Sequence, residues 1–261
     1  HHGRQPVTYP LCDLDSAFQA YPALPQHLGY TLSNIRRYWH TPFHLRNHME
    51  IIKTFDANHV QIGEADRTIV HTQGFWHETF HCWFVTNLEG VPCVLVQLRS
   101  PLKKNFPGLL DVTAAGHLES HEEPLDGVRE IEEELGVDID LDHLIPLGLR
   151  IDAQDEASGS RNREFAHVFL YRDDRPLLTY TLQKEEVSAL LAIPVAQGLA
   201  LLFDEKQSIT CGGIKIDDDG TSLTFTTDVS TADFIPLVDG YYRKVFVLAD
   251  LYFRGYRYLS I

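Results

Sequence analysis

A short helix constrains what this 261-residue chain can fold into more than any other segment. Residues 124–135 predict a helix, because Pro124 suits its first turn and Gly136 suits its end. Apolar residues recur on one face of this helix, so we expect that face to pack on a hydrophobic core. The opposite face is acidic, and the folded chain has to accommodate that concentration of negative charge.

Three carboxylates lie together on the acidic face. Glu130 and Glu134 are one helical turn apart, Glu133 is beside both, and Arg129 is placed to form an ion pair with Glu133. Such crowding destabilises an ordinary surface helix, but it is useful where a hard divalent cation takes oxygen ligands and supplies the opposite charge. Taken alone, an E-x-x-E-E run is more often a solvated acidic surface than a metal site.

Composition narrows the class of partner. The chain has 37 acidic and 22 basic residues and a net charge of −15, so its field repels polyanions. We therefore expect neither a nucleic-acid nor a membrane partner. The sequence shows no membrane-spanning apolar stretch and no cleavable leader, and its four cysteines lack a C-x-x-C pair, so we expect a cytoplasmic protein. The same cysteine spacing gives no support for a structural zinc site.

The first 48 residues receive no chemical assignment, and two interpretations of the start stay open. Either His1 and His2 are a remnant of an affinity tag, which we favour, or Met49 begins the natural domain.

From Met49 onward the pattern becomes regular. Sequence patterns predict β-hairpins at 50–63 and 80–98, a strand at 165–171, helical stretches at 184–203 broken near Pro194, a further hairpin at 214–226 and an aromatic-rich helix at 241–256. Strands and helices are mixed without regular βαβ alternation, which indicates an α+β fold or an α/β/α sandwich rather than a barrel.

The flanks of the acidic helix favour the metal-site interpretation. Gly116 and Glu122 precede the helix and Gly136-Val137 follows it, and the whole resembles the Nudix box, G-x5-E-x7-R-E-U-x-E-E-x-G-U, where U is a bulky aliphatic residue. One departure is present, because six rather than seven residues separate Glu122 from Arg129. This departure leaves the role of Glu122 open.

The resemblance implies an α/β/α sandwich with a mixed sheet and a loop-helix-loop that holds divalent ions, Mg²⁺ or Mn²⁺, to cleave a diphosphate bond. It assigns Glu133 and Glu134 as the principal metal ligands and Glu130 as a metal ligand or general base. It also implies that Arg129 orients these carboxylates and that the Gly116 carbonyl completes the metal shell.

The stretch 99–118 is similar to the Nudix branch around isopentenyl-diphosphate isomerase, and the similarity runs from about Met49 to Pro194. Basic residues before the box meet the substrate diphosphate in that branch. Arg99 and Lys103 are therefore the expected phosphate contacts, with solvated surface charges as the alternative.

Several other side chains become candidates through the same resemblance. Glu164 is the candidate for a further carboxylate that joins the metals or serves as base, with a solvated loop glutamate as the alternative. His77 and His117 fall where two histidine ligands of the isomerases stand, and His71 lies near a third, so a second metal site competes with ordinary hydrogen-bonded histidines. Trp76 is a candidate for contact with the substrate, although it fits a core position equally well.

Isomerase activity is the main alternative to hydrolysis. It requires proton transfer on a hydrocarbon, for which the isomerases use a cysteine immediately before the Gly-His pair. Ala115 stands there and transfers no proton, and the isomerases lack the intact R-E-U-x-E-E segment that this chain keeps. Hydrolysis is therefore favoured. A ligand-binding regulator that has lost catalysis ranks third, because all three glutamates are present.

The sequence thus predicts a Nudix hydrolase domain at 49–205, an N-terminal extension at 1–48 and a C-terminal extension at 206–261 packed on the core. The predicted reaction is metal-dependent hydrolysis of a small nucleoside- or other X-linked diphosphate, and nothing in the sequence selects the group X. The C-terminal elements cover the core, or form a substrate lid or a homodimer contact.

Overall fold

The computed structural model describes residues 50–155, 159–217, 219–237 and 239–261, so the predictions for residues 1–48 lie outside it. The helices and strands are β1 (Ile51–Phe55), β2 (Gln61–Asp66), α1 (Arg67–Gln73), β3 (His77–Leu88), β4 (Val91–Arg99), β5 (Leu110–Asp111), β6 (Ala114–His117), α2 (Arg129–Leu135), β7 (Ile145–Asp155), β8 (Arg161–Arg172), β9 (Val187–Pro194), α3 (Val195–Leu202), β10 (Ile209–Ile216), β11 (Ser222–Val229) and α4 (Tyr241–Phe253).

Most of the strands form one mixed sheet with the order β11-β10-β9-β4-β3-β8-β7. The short strands β5 and β6 extend it by pairing with β4 and β3. β3 and β8 run parallel, whereas β7 pairs antiparallel with β8 and β4 pairs antiparallel with both β3 and β9. β1 and β2 form a separate antiparallel ribbon.

Two hydrophobic cores lie on opposite faces of this sheet, because successive side chains of a strand point to opposite sides. Trp83 of β3 belongs to the core that α3 and α4 cover. Phe80 and Phe84 of the same strand belong to the core that α2 covers with Ile131 and Leu135. Helices on both faces of a mixed sheet confirm the predicted α/β/α sandwich.

One predicted element is wrong in type. Residues 184–203 were expected to be helical, but the structure has strand β9 up to Pro194 and helix α3 only after it. The run Val187–Pro194 is apolar almost throughout, so its periodicity does not separate a buried helix from a strand that is buried on both faces. Because residues 187–194 pair with β4 and β10, this segment is a strand.

Other expectations hold in outline. The hairpins predicted at 50–63, 80–98 and 214–226 are present, and the strand predicted at 165–171 is β8. In contrast, α1 and β7 were not predicted, and α4 ends at Phe253 rather than Tyr256. β10 pairs with β9, so the residues after 205 add strands to the same sheet and a helix to the same core. Across the described ranges, none of the helices is both long enough and apolar enough to cross a membrane.

Candidate active site

The position of α2 explains where its carboxylates point. A 3₁₀ turn, Pro124–Val128, leads directly into the helix, and Gly136 ends it in the left-handed region with φ 65°. An added Cβ on Gly136 would also lie 2.7 Å from the Thr181 carbonyl oxygen, so the tight exit needs glycine. With Ile131 and Leu135 fixed in the core, the acidic face is turned toward β4 and β6.

Glu134 is the most deeply buried carboxylate of the helix, with 4% of its surface exposed. Its Oε2 accepts hydrogen bonds from the Gln97 amide (3.1 Å) and from the Ala115 backbone N–H (3.2 Å). Burial raises the pKa of Glu134 well above its usual range, and the charge of Glu130 raises it further. A carboxylate held this way, with no basic side chain of the described residues in direct contact, is suited to bind a metal ion.

Glu130 approaches the backbone of β6 closely. A Cβ added to Gly116 would lie only 2.0 Å from the Glu130 Cδ, so this glycine makes room for the carboxylate. Burial raises the pKa of Glu130 to about 7, although the charge of Arg129 opposes that shift. Glu133 is the most exposed of the three glutamates, with 54% of its side chain accessible to solvent.

Arg129 connects these carboxylates. Its Nη1 donates to Glu130 Oε1 (2.6 Å) and to Glu133 Oε2 (3.2 Å), and its Nη2 donates to the His117 carbonyl (3.0 Å). Glu122 receives Nε at 2.6 Å and Nη2 at 3.0 Å, and it also accepts from the Glu119 backbone N–H. In this structure Glu122 therefore anchors Arg129 despite the shortened spacing.

Glu164 lies beside histidines of β3, because β3 and β8 run parallel with His77 opposite Glu164. Its two carboxylate oxygens are 3.9 Å from His77 Nε2 and 4.0 Å from His81 Nε2. Burial raises the pKa of Glu164 to about 7, since a hydrogen bond from Asn162 offsets it only in part and the charge of Asp152 adds to it.

The three histidines singled out in the sequence meet at one point. The ligand-capable nitrogens of His71, His77 and His117 lie within 4.8 Å of one another. Burial lowers the pKa of His71 and of His77 to about 4 and that of His117 well below its usual range, so all three are neutral at pH 7, as metal ligands must be. His77 Nδ1 is bonded to the Phe75 carbonyl (3.0 Å), while its buried Nε2 has no hydrogen-bond partner among the described residues.

The predicted substrate contacts differ in their positions. Lys103 forms an ion pair with Glu186, and its charge acts on both Glu134 and His117, which places it at the site. Arg99 instead donates to Asp111 Oδ2 (2.9 Å) and to the backbone carbonyl of residue 105, so its guanidinium is engaged in the β4–β5 connection.

Trp76 does not join this group. Its ring stacks on Phe165 with 4.7 Å between centroids, and Phe165 lies on the opposite face of β8 from Glu164.

Several side chains at the site were not predicted from the sequence. Gln97 holds Glu134, and an amide inside the apolar run of β4 is a signal that could have identified it. His81 and Tyr241 form a buried pair, in which the Tyr241 hydroxyl contacts His81 Nδ1 (3.1 Å) and accepts from the Trp83 indole (2.8 Å). Tyr241 comes from α4, and no local pattern links that helix to the site.

The raised pKa of Glu164 predicts a pH dependence of stability for the metal-free protein. Between the unfolded value of 4.5 and the folded value of about 7, the folded state binds more protons than the unfolded state. The free energy of unfolding therefore falls as pH rises through this window, by up to roughly 3 kcal/mol from this group. Urea unfolding at a series of pH values measures this fall.

Glu164→Gln, which keeps the shape but never ionises, is expected to remove that part of the slope and to be more stable than the parent at pH 8. Glu89→Gln, in the exposed β3–β4 turn, is the control and should follow the parent curve. A Glu164→Gln curve that superimposes on the parent curve would show that the buried carboxylate does not control the slope.

Comparison with known proteins decides the family. The family profile described as NUDIX domain matches residues 76–209. An uncharacterised Nudix hydrolase of Clostridium acetobutylicum is 34% identical over 75% of this chain and 95% of its own length. The chain belongs to the Nudix family.

Nudix hydrolase 3 of Arabidopsis thaliana is a further relative, 36% identical over 48% of this chain, and the match spans 16% of the plant protein. Membership makes this Nudix protein a pyrophosphohydrolase, and it implies cleavage of a diphosphate bond with the divalent ions that Nudix enzymes generally use. Membership of the branch around isopentenyl-diphosphate isomerase stays a prediction.

Two solved structures are similar at low identity. A Deinococcus radiodurans protein is 22% identical, covers 60% of this chain and 91% of its own, and has a TM-score of 0.46. The NUDIX domain of Shewanella oneidensis NrtR, solved with ADP ribose, is 18% identical, covers 47% of this chain and 75% of its own, and has a TM-score of 0.38.

Proposed function

We propose that this Nudix protein hydrolyses a small X-linked diphosphate with Mg²⁺ or Mn²⁺ held by Glu130, Glu133 and Glu134. One observation carries the proposal: Glu134 accepts from the Ala115 N–H and Glu130 packs against Gly116, so the two carboxylates reach neighbouring residues of β6. The charge of a neighbouring glutamate helps to raise the pKa of each. Two buried carboxylates that repel each other are stabilised when a divalent cation lies between them.

The donor atoms fit hard ions. Carboxylate oxygens, with the Gly116 carbonyl as a further candidate ligand, are the ligands that Mg²⁺ and Mn²⁺ prefer. The imidazole nitrogens of His71, His77 and His117 are softer ligands than carboxylate oxygens. We propose that these three histidines form a second metal site. Its support is the buried Nε2 of His77, which has no hydrogen-bond partner in the part of the chain that the structure describes.

A divalent ion held by these carboxylates would supply positive charge for the diphosphate and would make a water molecule acidic enough to attack phosphorus. Arg129 holds Glu130 and Glu133 in place for this task. Burial raises the pKa of Glu130 to about 7, which is the range of an efficient general base at neutral pH. The pKa of Glu164 is also raised to about 7, but its side chain lies beside His77 on the face of the sheet away from α2. Lys103 is the proposed phosphate contact, and Arg99 would first have to leave Asp111 to serve as another.

Isomerisation would need a proton donor at position 115, where the isomerases have a cysteine, and this chain has none there. Ala115 offers a methyl group, and its backbone N–H is bonded to Glu134. Cys82 points into the core under α2, on the other face of β3 from His81. The partners and location predicted from the sequence, namely a homodimer, the cytoplasm, and no nucleic acid or membrane, stay predictions.

A phosphate-release screen of nucleoside, isoprenoid, sugar and other diphosphates, with Mg²⁺ and with Mn²⁺, tests the proposed function. We expect at least one diphosphate to be hydrolysed only when metal is present, and Glu133→Gln to lower kcat by about a hundredfold. Glu133 is exposed, so its loss should leave the folded state intact.

Glu132→Gln is the matched control, because it removes the same charge from the same helix at a position outside the carboxylate group. It should keep close to the parent rate. The hydrolase mechanism is wrong if no diphosphate is turned over with either metal, or if Glu133→Gln keeps the full rate. Conversion of isopentenyl diphosphate to its isomer in a parallel assay would instead support the runner-up activity.

A further inference from the structure

A second cluster of ligating side chains lies on the face of the sheet that faces α2. It consists of His59 from the β1–β2 turn, Glu78 from β3 and His167 from β8. The Nε2 atoms of the two imidazoles lie 2.8 Å and 2.9 Å from the same oxygen, Glu78 Oε1. All three ligand atoms are within 4.8 Å of one another, although they come from three separate parts of the chain.

This cluster shares no side chain with the active site. Glu78 follows His77 in β3, and consecutive side chains of a strand point to opposite faces. The same alternation in β8 turns His167 away from the face that carries Glu164. The sheet therefore separates this cluster from His77 and Glu164, whereas the carboxylates of α2 lie on the cluster's own face of the sheet.

The β1–β2 turn is built to hold His59 over these strands. The Asp56 carboxylate accepts hydrogen bonds from the backbone N–H groups of Asn58 and Val60, both at 2.9 Å. His59 adopts a φ of 61°, in the left-handed region that few non-glycine residues occupy. The centroid of its ring lies 4.2 Å from that of Phe165 and 5.0 Å from that of Phe55. Its Nε2 is directed at Glu78.

We propose that His59, Glu78 and His167 bind a transition-metal ion, with Zn²⁺ as the preferred species. Two imidazoles and one carboxylate are a ligand set that Zn²⁺ accepts, with water in the fourth position. Tetrahedral ligands about 2.0–2.2 Å from zinc are about 3.3 Å apart, so the cluster has to open by roughly half an ångström. The side chains are 30%, 11% and 20% exposed, which gives an ion access from solvent.

The ion would tie the β1–β2 ribbon to the central strands. That ribbon also supports the loop before α2, because Lys53 Nζ donates to the Glu122 carbonyl (2.6 Å) and the Ser120 N–H donates to the Ile51 carbonyl (2.8 Å). Zinc in this position is structural, and it steadies the loop that carries the Arg129 anchor Glu122.

Zn²⁺ titration of the metal-free full chain by calorimetry, with Tm measured in parallel, tests this proposal. We expect His59→Gln and His167→Gln each to bind one fewer Zn²⁺ than the parent and to lose a Zn²⁺-dependent rise in Tm of several degrees. His143→Gln is the matched control, because His143 is an exposed histidine beside Asp140 (3.2 Å), and it should bind as the parent does.

A His77→Asn variant separates this site from the inner histidines. It should keep the Zn²⁺ that His167→Gln loses, and histidines of residues 1–48 are the same in every variant. The proposal is overturned if the losses in zinc stoichiometry and in Tm occur only in His77→Asn, or in no variant.

A measurement on the parent chain covers the case in which a variant does not fold. Diethylpyrocarbonate modification followed by peptide mass spectrometry should show His59 and His167 protected by Zn²⁺ and His143 unprotected. Equal modification of His59 and His167 with and without Zn²⁺ would overturn the proposal.

Discussion

Replacing Glu134 by glutamine is expected to lower kcat for diphosphate hydrolysis by about a thousandfold. The amide keeps the size of the side chain and can still accept from the Ala115 N–H, but it removes the buried negative charge that a divalent ion requires. Because that charge is unfavourable without metal, the metal-free variant should be more stable than the parent. Steady-state kinetics and urea unfolding measure the two effects.

The combination of lost activity and gained stability distinguishes a metal ligand from a structural residue. A purely structural role would make Glu134→Gln less stable and would lower activity only through unfolding. Gln97→Ala serves as a comparison, since it removes the amide that supports Glu134 but keeps the carboxylate, and a smaller loss of kcat is expected.

Gly116→Ala is the second substitution with a large expected effect. The new Cβ would lie 2.0 Å from the Glu130 Cδ, so the flexible end of Glu130 has to turn away and lose its 2.6 Å contact with Arg129. The stability loss should be modest, about 1 kcal/mol, because the side chain rather than the backbone moves. Activity should fall at least about a hundredfold, because a displaced ligand no longer meets the metal.

Gly212→Ala in β10 is the control for the added methyl group. Its nearest neighbour would be the Phe225 carbonyl oxygen at 3.9 Å, so the substitution fits without movement. Its activity should equal that of the parent. Full activity of Gly116→Ala would mean that Glu130 is not needed where the structure places it.

Local sequence signals were sufficient for the acidic helix and its exit. Pro124, the apolar period and Gly136 are all within a few residues of one another, so the local pattern identifies this element, although packing of Ile131 and Leu135 on the core stabilises it. The region 184–203 shows the opposite case. There the choice between strand and helix depends on pairing with β4, which no local pattern reveals.

The candidate site divides in the same way. Glu130, Glu133, Glu134 and Arg129 come from one helix, so their proximity follows from helical geometry alone. Glu164 meets His77 only because β3 and β8 run parallel in register, and that alignment is a property of the sheet. The resemblance to a known family predicted Glu164 beside the metals of α2, whereas the structure has its side chain on the face of the sheet opposite α2, beside His77.

Side chains that support the site from farther away were not predicted. Tyr241 reaches His81 from α4, at the opposite end of the described chain. Gln97 lies in a run of residues that is typical of a core strand. Such contacts arise from packing between elements that are distant in sequence. Because no motif marks these positions, the contacts could not be predicted from the sequence.

The most direct test of the central claim measures Mn²⁺ binding and phosphate release in the same samples. It compares the parent with a chain in which Glu130, Glu133 and Glu134 are all replaced by glutamine, using a diphosphate identified in the screen. Our account predicts that the parent binds Mn²⁺ and releases phosphate, and that the triple variant folds, binds less Mn²⁺ than the parent and releases no phosphate. Metal-dependent phosphate release at the parent rate by the triple variant would contradict it.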